Sequence, residues 1–224
     1  MITTRNKKMG ALAVGLSCLL VGIALAQQAT LPGQPGVVTQ PGTVATASPD
    51  VDRYLANCWA GHNKAEIEVS QIAQREAQDP KVKEFAQKMV QEHSELSRKL
   101  QPLASAQGTG PASPTINQLI AIDKQITERT TDSFKQKLEE KSGAEFDQCY
   151  IGQQIGCHMQ ASAALDVISR QASGQIRQLA SETKSKVDEH LKMAEQIAKQ
   201  LMERQTGQAR SGSDRDVRQA SAEQ

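Results

Sequence analysis

Aromatic side chains are scarce: the 224-residue chain has one Trp, two Tyr and three Phe. Strands of sandwiches and barrels draw on aromatic and β-branched residues, so this scarcity argues against those folds. Charge of neither sign prevails, with 26 basic residues against 25 acidic ones. That balance leaves no electrostatic footprint for nucleic acid. No proline follows Pro114, so nothing of that kind interrupts a helix in the second half. Catalytic signatures are missing as well. The chain has no Gly-x-Ser-x-Gly, phosphate-binding loop, Cys-x-x-Cys or dinucleotide fingerprint, and no particular reaction is indicated.

The amino terminus holds the one long apolar run. Arg5, Lys7 and Lys8 precede an uncharged stretch from Gly10 to Ala26 that closes on Ala24-Leu25-Ala26. A basic stretch, an apolar stretch and a small-x-small ending describe an export signal, residues 1–26, cleaved after Ala26. A retained anchor would need roughly 20 apolar residues. A lipid-modified Cys18 would need an aliphatic residue where Gly15 stands. Residues 27–48 are low in complexity and hold Pro32, Pro35 and Pro41, so they read as a flexible tether. Residues 205–224 are mostly Gln, Ser, Gly, Arg and Asp and read as a disordered tail.

Between these segments, residues 49–204 repeat apolar side chains at helical spacing. The first long helix starts near Asp50, with Ser48 as cap and Pro49 in its first turn. Its stripe is Leu55, Cys58, His62, Ala65, Val69 and Ile72. The second starts after Asp79-Pro80 and carries Val82, Phe85, Met89, Leu96, Leu100 and Leu103. A loop from Gln107 to Pro114 leads to a more polar helix through Ile116, Leu119, Ile122 and Ile126 to about Lys141. Ser142 and Glu145 spell a capping box for the third long helix, with Phe146, Tyr150, Cys157, Ala161, Leu165 and Ile168 facing inward. The fourth follows Gly174, with Ile176, Leu179, Val187, His190, Ala194, Ile197 and Leu201. Four long amphipathic helices with a helical connection between the second and third describe an all-α bundle with a crossover.

Several segments stand in a familiar order. They are Lys64-Ala65-Glu66-Ile67-Glu68-Val69, Val82-Lys83-Glu84-Phe85-Ala86 through Glu92-His93-Ser94, Ser142 to Tyr150, His158, and Glu189-His190-Leu191-Lys192-Met193-Ala194. Over roughly Val51 to Lys199 the chain resembles a family of exported bacterial proteins of unknown function, often described as outer-membrane proteins. The resemblance implies a ferritin-like four-helix fold and an exported location, and it supplies no substrate.

Each long helix carries one of the four histidines. On a wheel of 100° per residue, His62 and His190 lie near the middle of their stripes, and His93 and His158 lie on the flanks. All four stand near mid-helix, where a bundle would bring them into one layer. Glu66 follows His62 by one turn, and Glu92 and Glu189 adjoin His93 and His190. His62, Glu66, His93, His158 and His190 are therefore the candidate ligands for a transition metal such as zinc, copper or iron. A metal-free polar layer that sets helix register is the plainer reading. Di-iron sites use Glu-x-x-His, and the residues three before each histidine are Trp59, Val90, Ile155 and Val187.

Cys149 and Cys157, eight apart on one helix, lie about 12 Å from each other, beyond disulfide reach. Cys149 falls off its stripe and reads as the exposed thiol; Cys58 and Cys157 read as buried small residues. Gly152 and Gly156 suggest tight packing within the bundle. The functional expectation is a non-enzymatic structural or interaction module of the cell envelope, in the periplasm or at the outer membrane. Its partners would be envelope components or further copies of the chain. The alternative is a metal-binding bundle, for storage or redox, using the histidine layer.

Overall fold

The computed structural model describes residues 48–105 and 113–222, with side chains to residue 206. The expected export signal and most of the tether lie outside the described residues. Within them the chain is all-helical: α1 Pro49–Glu76, α2 Pro80–Ser105, α3 Pro114–Glu139, α4 Gly143–Gln171 and α5 Gly174–Ala222. No described helix is long and apolar enough to cross a membrane.

The helix starts follow local chemistry. Ser48 accepts a hydrogen bond from the Val51 amide (3.3 Å), and Ser113 does the same for Ile116 (3.2 Å). Each is followed by a proline whose missing N–H costs nothing there. Asp79 caps α2 through the Lys81 amide at 2.8 Å. The capping box at α4 does not form, since Ser142 makes no side-chain cap bond. Gly143, the first residue of the helix, takes a positive φ of 59°, a conformation that glycine adopts without steric cost.

Short turns pair α1 with α2 and α4 with α5, and α3 rests mainly on α1. Two apolar clusters hold the bundle together. One gathers Val69, Phe85, Met89, Phe134, Tyr150 and Ile197 from all five helices. The other gathers Ala56, Leu165, Ile168, Ile176 and Val187 at the opposite end. Asp147 ties the two hairpins together: its carboxylate accepts from the Gln78 amide (3.0 Å) and the Asp79 amide (2.8 Å) in the α1–α2 turn.

Three other expectations are corrected. The buried residues of α1 are Tyr54, Ala56, Asn63, Val69, Ser70 and Ala73; of the expected stripe Val69 is buried and the rest are half-buried, because α1 packs on α2 and also carries α3. Gly152 and Gly156 pack against nothing: a Cβ at either would meet no atom within 4 Å. Cys149 is half-buried and packs on the first apolar cluster, and burial raises its pKa. Helix α5 itself runs on past Arg204 to Ala222. No proline stops it there, though Leu201 is the last buried side chain among those described.

The open glycines allow a direct check. Gly152→Ala and Gly156→Ala should each stabilise by about 0.5–1 kcal/mol, since glycine in a helix interior wastes backbone entropy. Thermal melts of the two variants test this. Unchanged or lowered midpoints would mean that the side of α4 taken here as open is in fact occupied.

Candidate metal centre

The polar layer arises because each hairpin interrupts its apolar stripe at the same height. Asn63 falls between Ala56 and Val69, His93 between Met89 and Leu100, His158 between Ile151 and Leu165, and His190 between Val187 and Ala194; all twelve are buried. Helices α2, α4 and α5 thus bring three imidazoles together. Ring centroids are 5.9 Å apart for His93 and His158, 5.8 Å for His93 and His190, and 5.3 Å for His158 and His190. One ring nitrogen from each lies within 4.8 Å of the other two.

The outward nitrogens decide the tautomers. His93 Nδ1 faces Asn63 Oδ1 at 2.8 Å. The Asn63 amide is oriented by its own donations to the His93 carbonyl (2.8 Å) and to Ser97 Oγ (2.7 Å), so its oxygen must accept. His93 Nδ1 therefore carries the proton. His158 Nδ1 faces the Gln154 carbonyl at 2.9 Å and must donate. His190 Nε2 faces the Glu92 carboxylate at 2.9 Å and donates as well.

The remaining nitrogens are His93 Nε2, His158 Nε2 and His190 Nδ1. All three are buried without a hydrogen-bond partner among the described residues. A neutral imidazole with its proton outward presents only a lone pair inward. Three acceptors cannot satisfy one another, and a bridging water has only two protons to offer three lone pairs. Burial, which outweighs the pull of Glu66, pushes His93 down to about 4. Burial and the neighbouring His158 push His190 down to about 4. At pH 7 these two rings are neutral, so neither offers the other a second N–H.

Glu92 supports the layer from outside. Burial pushes its carboxyl up, but the bonds from Lys88 and His190 outweigh that and hold it at about 2. Lys186 also approaches it, at 3.7 Å. A ligand histidine whose second nitrogen donates to a carboxylate, a carbonyl or an amide oxygen is the usual support of a metal ligand.

Two sequence candidates stay outside the triad. His62 turns toward α3, 3.9 Å from Asp123, with its side chain 38% exposed. At the height of His62 this stripe faces α3, whereas Val69, two turns on, reaches the central cluster. Glu66 is held by Gln154 Nε2 (2.7 Å) and Gln153 Nε2 (3.4 Å) and does not join the cluster. Sequence reasoning missed Asn63, although Ala56, Asn63 and Ser70 recur every seven residues as a stripe of small and polar side chains. Gln154 left no such trace. Cys58 does not join the cluster either; burial and the nearby Asp123 raise its thiol to about 12.

A family model for a domain of unknown function, DUF4142, matches residues 38–197, which spans α1 to α4 and most of the packed part of α5. The chain belongs to the DUF4142 family. No curated protein and no solved structure matches it. Every residue of the DUF4142 histidine cluster, with Asn63, Glu92 and Gln154 around it, falls within the matched span. Chemically, three imidazoles are a ligand set for zinc, copper, nickel or cobalt, with further coordination positions left for a small molecule.

Proposed function

We propose that this DUF4142 protein is an exported, ferritin-like four-helix bundle that holds one transition-metal ion at His93, His158 and His190. The observation that carries the reading is the convergence of three buried imidazoles, each with one ring nitrogen lacking a hydrogen-bond partner among the described residues. Nitrogens no more than 4.8 Å apart share a point within about 2.8 Å of each, so zinc–nitrogen bonds of ~2.0–2.1 Å need inward movements below about 1 Å. The two hairpins with α3 between them support the ferritin-like reading, and the basic-apolar-Ala24-Leu25-Ala26 start supports export. A metal-free module of the envelope, the simpler expectation from sequence, leaves those nitrogens without a role.

The test uses exported protein carrying no affinity tag, with Gln27 expected as its first residue. After chelation and dialysis it is titrated with zinc and with copper(II). One equivalent should bind, and a thousand-fold excess over Kd should stabilise the fold by about 4 kcal/mol. His158→Ala and His190→Leu should each remove the binding. Protein that takes up neither metal, or variants that bind as wild type does, would overturn the proposal and return the layer to a register-setting role. Residues 1–26 found intact on the exported protein would remove the cleaved signal from it.

A further inference from the structure

His62, which stays outside the triad, belongs to a second group of metal-ligating side chains. Cys58 and His62 stand one turn apart on α1, which puts their Cβ atoms about 5–6 Å from each other on one face. Asp123 reaches that face from α3. Its carboxylate lies 3.9 Å from His62 Nε2 and accepts from the Cys58 thiol. All three line one cavity of about 170 Å³ between α1, α3 and α4. A thiol, an imidazole and a carboxylate thus meet at its wall.

The spacing suits an ion between the groups. At 3.9 Å His62 and Asp123 are too far apart for a direct hydrogen bond, which needs about 2.7–3.2 Å. Two nitrogen or oxygen ligands on one zinc, with bonds of ~2.0–2.2 Å at tetrahedral angles, stand about 3.4 Å from each other. Closing this pair onto an ion therefore takes roughly half an ångström. Cys58, already against the same carboxylate, reaches a third corner by turning about its side-chain bond. The charges also match, since one thiolate and one carboxylate cancel a divalent cation beside apolar walls. A thiolate disfavours calcium and magnesium and suits zinc. The Tyr54 hydroxyl donates to the Cys58 sulfur, the kind of outer support that fixes a ligand. His62, with its side chain 38% exposed, opens the group to solvent and gives an ion its way in.

We propose that Cys58, His62 and Asp123 form a second metal site, between α1 and α3, for one divalent ion of the zinc type with water at its fourth position. As the metal–sulfur bond forms, the S–H bond breaks and its proton passes to solvent. Burial and Asp123 hold that proton in place, so this site is weaker than the triad and fills after the one equivalent that the triad takes.

Cobalt(II) is the probe, because a cobalt–thiolate bond gives a charge-transfer band in the near ultraviolet that three imidazoles do not give. The full chain, reduced, stripped of metal and kept free of oxygen, is titrated with cobalt past the first equivalent. The band should grow with the second, and zinc, which favours a tetrahedral thiolate site, should bleach it. Cys58→Ser should abolish the band. His62→Ala, a change at a half-exposed position that spares the core, should weaken cobalt at least roughly ten-fold, an effect that even outer partners of a metal have. Asp123→Asn should do the same. Cys149→Ser and Cys157→Ser should leave the band in place, and so should His190→Leu, which separates this site from the triad. No band in a large excess of cobalt would overturn the proposal, as would a band that survives Cys58→Ser. A band that His62→Ala and Asp123→Asn both leave at full strength would overturn it too, since a thiol alone would then account for it.

Discussion

Metal-stripped protein is expected to lose stability steadily as pH falls from 7 to 5. His93 and His190 both titrate at about 4 in the folded chain, against 6.5 for the free side chain. Between those values the unfolded chain binds more protons than the folded one, so acid favours unfolding. The stabilisation is present above pH 6.5 and is lost as pH falls toward 4. By pH 5 each ring costs about 2 kcal/mol, or ~4 kcal/mol for the two if they act independently. In a domain of this size that lowers the melting temperature by roughly 8–16 °C. Glu92, held at about 2 against 4.5, adds its loss mainly below pH 4.5, so the window from 6.5 to 5 reports the imidazoles. Thermal melts at pH 7, 6 and 5 provide the check. A midpoint that does not move would mean that the triad takes up protons in place, with water reaching it.

Removing the Asp147 carboxylate should weaken the fold nearly as much. Its two oxygens serve the amides of Gln78 and Asp79, and the side chain is 2% exposed. Those amides belong to the α1–α2 turn, where no helical carbonyl is available to them. Asp147→Ala strands both, at about 3 kcal/mol in all, or roughly 6–12 °C in melting temperature. Asp147→Asn keeps one acceptor and should cost about half as much. A fall of under about 2 °C in the alanine variant would show that water replaces the carboxylate, and that the hairpins are joined by apolar packing alone.

The helices were legible because their signals are local. Ser48-Pro49, Asp79-Pro80 and Ser113-Pro114 mark three starts, and all three stand where the sequence places them. The capping box at Ser142 has the right spacing, yet its side chain makes no cap bond; spacing alone does not fix a side-chain rotamer. His190 was correctly read as buried. His62, equally central on its wheel, was not, because a wheel reports an apolar face without naming the helix that covers it. On α1 that face looks toward α3 and the cavity, and the centre of the bundle receives Asn63 instead.

The sequence by itself therefore determined the secondary structure, the scarcity of strand-forming residues, and one histidine at mid-height in each long helix. These follow from periodicity and capping, which depend on residues within a turn or two of each other. Tertiary structure alone decided which three histidines meet, which nitrogen of each keeps its proton, and that a cavity opens beside them. The partners responsible are Asn63 thirty residues from His93, and Glu92 ninety-eight residues from His190. Separations of that size leave no trace in local spacing, because only the packing of hairpin on hairpin brings those side chains within hydrogen-bond reach.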